Sequence, residues 1–168
     1  VQDLLDYALE EAITLTERKI GYIYHYYEEK EQFILNTWSE GVMDECSITD
    51  QQSVYKLDKT GIWGEAVRQR KPIILNDFQA DHPLKKGYPE GHAPLHKFMT
   101  TPIFTGDKIV AVVGVANKEF DYTETDVLQL ELLMDGVWKI VGTKKAEDAL
   151  EKSEARYRAI FENTGTAM

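Results

Sequence analysis

Apolar positions along the chain fall into two periods, and these set most of the predicted elements. From residue 3 to 17, Leu5, Ala8, Leu9, Ala12, Ile13 and either Leu15 or Thr16 recur every three or four residues, which predicts a helix with one apolar face. Ile20 to Tyr27 is rich in Tyr and Ile and ends at the charged run Glu28 to Glu31. It predicts a strand, a turn and a second strand from Gln32 to Trp38, paired as an antiparallel hairpin. Residues 39 to 57 are polar and show no clear period. Thr60 to Arg70 predicts a short helix stopped by Pro72, and Pro72 to Leu75 a short strand. Residues 76 to 97 hold Asn76, Asp77, three prolines and two glycines, the composition of a long loop; such loops in a compact domain are usually functional or mobile. Phe98 to Phe104 and Lys108 to Asn117 predict a second hairpin around Thr105-Gly106-Asp107. Ile109 to Ala116 is apolar on both alternations, so it is expected at the sheet centre, covered on both faces.

The last predicted helix opens at Thr123, with Asp126 three residues on, a Thr-x-x-Asp variant of the capping box. Val127, Leu130, Met134, Val137 and Val141 alternate steps of three and four and predict a coiled-coil seam for a dimer. Ala146, Leu150, Ser153, Tyr157 and Ile160 form a second seam. The two are separated by a five-residue step around Gly142, a break in heptad phase where glycine lowers helix stability by about 1 kcal/mol. That break is the expected two-state element of a signalling helix.

Composition narrows the function. With 19 Lys plus Arg against 29 Asp plus Glu, the formal charge is −10, so nucleic acid and anionic membrane surfaces are poor partners. Cys46 is the single cysteine, which excludes an internal disulfide and fits a reducing, cytoplasmic compartment. The longest apolar run, Ile109 to Ala116, is far too short to span a membrane, and no charged leader precedes an apolar stretch at the N-terminus. Both ends fall in mid-pattern and are read as cuts in a longer chain.

Helix, hairpin, loop-rich crossover, hairpin and long helix is an α+β order around one antiparallel sheet. Two segments carry a more specific likeness. Thr60 to Asp77 (TGIWGEAVRQRKPIILND) is a glycine-opened helix followed by a short strand and an aspartate; Phe98 to Phe104 with Lys108 to Asn117 is a pair of central strands. Together they resemble the GAF domain family over residues 1 to 145. Ser153 to Asn163 looks like the opening of a PAS domain, so residues 146 to 168 read as a linker helix and a truncated PAS start. The resemblance implies a central sheet of five to six antiparallel strands flanked by N- and C-terminal helices. It also implies a parent of the sensor histidine kinase type, a two-component signalling protein. The fragment itself is expected to be a non-catalytic, dimeric sensory module that binds a small molecule between the sheet and the crossover loops. Trp38, Trp63, Asn76, Asp77, Phe78, His92, His96, Phe98 and Thr100 are the residues expected at that ligand.

Each motif also has a plainer reading. Gly61-x-x-Gly64 opens a helix, yet it lacks the Lys-Ser or Lys-Thr pair of a phosphate loop and reads as a tight turn that lets the helix approach the sheet. Trp38 and Trp63 serve either as core filler or as stacking platforms. Asp77 serves either as a ligand acceptor or as a loop cap. Asp81, His82, His92 and His96 share one loop, but Pro94 argues against a regular helix presenting them together, and no metal site is expected. Leu95 stands where bilin-binding relatives carry the thiol before His96. Asn117-Lys118-Glu119-Phe120 resembles the start of a cyclic-nucleotide motif, but Glu124 and Thr125 depart from its remainder. Asp44 and Glu45 disfavour a thiolate at Cys46, and one cysteine does not supply the attacking and resolving pair of a methionine sulfoxide reductase. No cofactor is expected; a haem held through Cys46 or a histidine and a cyclic nucleotide are the alternatives. A ligand-free dimerisation and transmission module is the alternative function, and an enzyme ranks third.

Overall fold

The computed structural model describes residues 1–15, 20–39, 54–85 and 94–164. Its elements are helix α1 (Gln2–Leu15), strands β1 (Ile20–Tyr27), β2 (Gln32–Trp38) and β3 (Val54–Lys56), helix α2 (Ile62–Gln69), strands β4 (Ile73–Leu75), β5 (Phe98–Thr105) and β6 (Lys108–Ala116), and helix α3 (Glu124–Thr164). The six strands form one sheet in the order β3-β2-β1-β6-β5-β4, every neighbouring pair antiparallel. The doubly apolar segment is β6, and it lies between β1 and β5 as its pattern predicts.

Strand alternation sends side chains to two different layers. On one face, Ile23, Met99, Ile103, Ala111, Val113 and Val115 pack against Leu5, Leu9 and Ala12 of α1 and the apolar stripe of α3. On the other, Tyr24, Tyr26, Phe33 and Val112 pack against Ala66 and Val67 of α2. Tyr22, Tyr24 and Tyr26 of β1 therefore share the α2 face because they sit two residues apart.

Two helix ends differ from the sequence reading. The α2 helix stops at Gln69, ahead of Pro72: Arg70 takes a left-handed conformation (φ 52°), and its N–H and that of Lys71 donate to Val67 and Ala66 carbonyls. At the start of α3 the capping box closes in one direction only. The Asp126 carboxylate accepts the Thr123 backbone N–H (2.8 Å) and also the Thr123 hydroxyl (3.0 Å), so that hydroxyl donates where a full box would have it accept.

The larger difference concerns α3. Val127, Leu130, Met134, Val137 and Val141, assigned from sequence to a dimer seam, are all buried in the protomer's own core with α1 and the sheet. Their heptad-like spacing is that of a helix lying across a sheet. No interruption occurs at Gly142: α3 runs as one helix through Ser153–Asn163, the stretch likened to a PAS opening. No helix among the described residues is long and apolar enough to cross a membrane.

Candidate functional site

The α2 face of the sheet is an aromatic layer centred on Trp63. Tyr24 lies 5.0 Å from it, Phe33 4.6 Å, Tyr55 5.7 Å and Tyr22 6.3 Å, ring centroid to centroid. Such tilted and edge-on contacts contribute about 0.5–1.5 kcal/mol per pair beyond area burial. Tyr22 stacks on Phe98 (6.4 Å, 26°), and Phe78 meets Phe98 edge-on at 5.9 Å. Tyr22, Trp38 and Trp63 are only half-buried, whereas Phe78, Phe98 and Thr100 are buried.

Tyr22 lies across Gly114 on the neighbouring strand. A Cβ on Gly114 would come within 2.2 Å of the ring, so only glycine lets the phenol lie flat there. The Tyr22 hydroxyl donates to Thr100 Oγ1 (3.0 Å), and that hydroxyl donates to the Val113 carbonyl (3.2 Å). Burial pushes the Tyr22 phenol above its usual range, and the bond to Thr100 offsets only part of this; Tyr24 is pushed up by burial as well. Both stay neutral at physiological pH.

The glycine pair of α2 is a turn device. A Cβ on Gly64 would sit 1.8 Å from Thr60 Oγ1, and that hydroxyl bonds the Leu57 carbonyl at 2.6 Å. The close approach is thus to the Thr60 turn and not to the sheet. Arg68 closes the same turn, donating to the Thr60 carbonyl (2.8 Å) and to Leu57.

A second group of residues ties the crossover loop to the segment between β6 and α3. Asn76 makes a two-way clip with the Tyr122 backbone, its Nδ2 donating to the carbonyl (3.0 Å) and its Oδ1 accepting the N–H (2.7 Å). Asn117, left-handed at φ 64°, clips the loop in the same way: Oδ1 accepts from His96 N (2.9 Å) and Nδ2 donates to Pro94 O (2.9 Å). The Phe78 N–H donates to the His96 carbonyl at 2.7 Å. Lys118 pairs with Asp126 at 2.6 Å, with both side chains largely buried. Burial opposes ionisation of Asp126, but the bonds from Lys118 and Thr123 outweigh it and hold the carboxyl below its usual range.

The sequence-predicted ligand residues therefore divide. Trp38, Trp63, Phe78, Phe98 and, through Tyr22, Thr100 gather on the α2 face. Asn76 and Asp77 do not join them as donors: Asn76 holds Tyr122, and Asp77 Oδ1 accepts the N–H groups of Gln79 and Ala80 (both 3.0 Å), a loop cap. His96 is exposed and enters the loop network through its backbone. His92 and Cys46 lie outside the described residues. Among the described residues no group of three or more His, Cys, Asp or Glu is placed to hold a metal. Sequence reasoning missed Tyr22, Tyr24, Phe33 and Tyr55; the signal for the first two was the Tyr-x-Tyr-x-Tyr alternation of β1.

An α+β domain with this six-stranded antiparallel sheet, a helix pair on one face and a short helix with an aromatic layer on the other defines a fold class. A model of the GAF domain family matches residues 1–141, and the chain belongs to that family. It is 49% identical over 150 residues to a methyl sulfide methyltransferase-associated sensor of Methanosarcina acetivorans, a match covering 89% of this chain and 15% of that protein. The chain thus spans only a small part of that relative's length. Among solved structures it resembles the GAF domain of a phosphoenolpyruvate-protein phosphotransferase from Coxiella burnetii (TM-score 0.70, 16% identity, 88% of this chain and 86% of that one). It also resembles the free methionine-R-sulfoxide reductase of Neisseria meningitidis (TM-score 0.58, 14% identity, 83% and 80%). At these identities the structural likenesses establish the fold alone.

Proposed function

We propose that this domain is a non-catalytic sensory module of a larger signalling protein. It takes a small organic molecule on the α2 face and passes its state along α3, within a dimer, to a following PAS-like domain. The observation that carries this reading is that Tyr22, Trp38 and Trp63 of the aromatic layer are only half-buried. The clips of the adjoining crossover loop run to Asn117 and Tyr122, in the segment between β6 and α3. Half-buried aromatics with few polar partners suit a ligand held by stacking. The family, and the name of the curated relative as a sensor, support a regulatory role. A single cysteine supports keeping this chain apart from the sulfoxide reductase chemistry of its structural neighbour.

A thermal-shift screen of small organic molecules tests the reading on the wild-type domain, Trp38→Ala and Tyr22→Phe. At least one compound is expected to raise the wild-type midpoint, with a smaller rise in Trp38→Ala, because binding to the folded state adds RT ln(1 + [L]/Kd). A screen in which nothing moves the wild type, or in which both variants respond in full, contradicts it.

A further inference from the structure

We propose that His25 is a proton sensor on the α1–α3 face of the sheet: taking up a second ring proton, it turns the Asn36 amide and releases the first turn of α1 from β2. This input is separate from the small-molecule site. Alternation along β1 sends His25 to the face opposite Tyr22, Tyr24 and Tyr26, where it meets Trp138 of α3.

The geometry is a relay of side chains whose polarity is fixed at its far end. Gln2 Nε2 donates to the Asp6 carboxylate (2.8 Å) and to the Asn36 backbone carbonyl (3.2 Å). Both partners only accept, so the Gln2 amide cannot be reversed and its Oε1 is left for Asn36. That oxygen accepts from Asn36 Nδ2 at 3.2 Å. The same Nδ2 lies 3.2 Å from His25 Nε2, which therefore accepts and leaves the ring proton on Nδ1. One neutral ring thus links β1 and β2 to α1. Trp138 meets it edge-on, with centroids 5.7 Å apart, so the relay also ends against α3.

A protonated ring breaks this arrangement. Nε2 becomes a donor and faces the Nδ2 donor of Asn36. A half-turn of the Asn36 amide resolves the conflict, and a second observation shows what the turn gives up. Asn36 Oδ1 is buried and accepts no hydrogen bond from any described residue, so only the two bonds made by Nδ2 are lost. Once turned, Oδ1 accepts from the imidazolium but also faces Gln2 Oε1. Gln2 cannot answer by turning, because its oxygen would then meet the Asp6 carboxylate and the Asn36 carbonyl. The charged ring and the Gln2 clasp exclude each other, and Gln2, exposed on the first turn of α1, is the group free to leave.

The surrounding charges set the pH range. Burial of the ring, and then the charge of Lys145 on α3, hold its pKa below the ordinary 6.5. Elsewhere on α3, Asp135 pairs with Lys139 and Lys144 with Asp148. On α1, Asp6 is half-buried and engaged by Gln2, while Asp3 and Glu10 are exposed. The β2 strand carries no charged residue, and β6 pairs with His25 at Ala111, its one charged residue, Lys108, lying exposed beside Glu29. The neutral, clasped state therefore holds at pH 7, and the release belongs to mildly acid conditions.

NMR on the whole chain, titrated from about pH 8 to about pH 5, tests this. The His25 ring and the Asn36 and Gln2 side-chain amides are expected to shift with one midpoint below 6.5. Hydrogen exchange at the Leu5 amide, which bonds the Val1 carbonyl, is expected to quicken across that midpoint relative to its intrinsic rate. Gln2 is exposed, so Gln2→Ala disturbs no core contact. Without the clasp to break, the His25 midpoint in that variant is expected to rise by about one unit, the worth of two exposed hydrogen bonds. In His25→Gln the Gln2 amide is expected to stay unmoved over this range. A Gln2 amide that does not respond while His25 titrates overturns the proposal. So does a Gln2→Ala midpoint equal to that of the wild type. A Gln2 response that persists in His25→Gln overturns it as well and assigns the response to Asp6.

Discussion

At the scale of single residues, the aromatic layer depends on one absent Cβ. Gly114→Ala places a methyl within the Tyr22 ring, whose hydroxyl is tied to Thr100, so ring or strand must move. The expected loss is about 1–3 kcal/mol, the usual cost of overpacking, read by denaturant unfolding. Gly114→Ala/Tyr22→Ala should recover part of it; a Gly114→Ala protein as stable as wild type would show that the ring is not fixed there. Asp126 carries a second test. Its folded pKa is lowered, so it contributes stability that is present above the unfolded value of 3.8 and is lost as pH falls through the folded one. Replacing Lys118 by Met leaves this carboxylate largely buried and is expected to cost about 3 kcal/mol at pH 7, with a smaller cost at acid pH where Asp126 is neutral. His25 adds a third. Burial, and then the charge of Lys145, lower its pKa from 6.5. Stability is therefore full above the unfolded value and declines as pH falls from there toward the folded one. His25→Gln is expected to flatten that part of the stability profile, and an unchanged profile would mean that the ring is not held neutral.

At the scale of elements, α3 separates what periodicity reveals from what it conceals. Spacing alone put Val127, Leu130, Met134, Val137 and Val141 on one face, and one face they share. Spacing does not say whether that face meets the domain's own sheet or another chain, since both demand steps of three and four. The step from Val141 to Ala146 turns the helix by about 140°, and read as a single seam it looked like a break. The α1 stripe and the strands were more legible, because a strand with tyrosines two residues apart, or a β6 apolar on both alternations, admits few other placements. Side-chain partners over long sequence separations were not legible: nothing near Asn76 foretells its clip to Tyr122, 46 residues on. The burial difference between the two α3 faces predicts that Met134→Ala costs about 2–5 kcal/mol in urea unfolding, whereas Leu128→Ala costs the isolated protomer little. Equal losses would contradict the two-faced helix.

At the scale of the whole molecule, the sheet separates the aromatic layer from the helix pair, the input and output sides of the proposed function. The α2 face holds the aromatic layer; the α1–α3 face holds the helix that leaves the domain. Asn76 and Asn117 tie the crossover loop to the segment that runs from β6 into α3, Asn76 to Tyr122 just before the helix and Asn117 at the end of β6. A molecule that moves the loop would thereby bear on α3 without any rearrangement of the core. Native mass spectrometry on the freshly purified chain tests this account most directly, since it asks whether the aromatic face takes a small molecule at all. The account predicts mass above 19.3 kDa per protomer, with the increment released on denaturation and reduced in Trp38→Ala. A protomer at its bare mass that also gives no thermal shift in the compound screen would contradict it and leave a domain that only pairs and transmits.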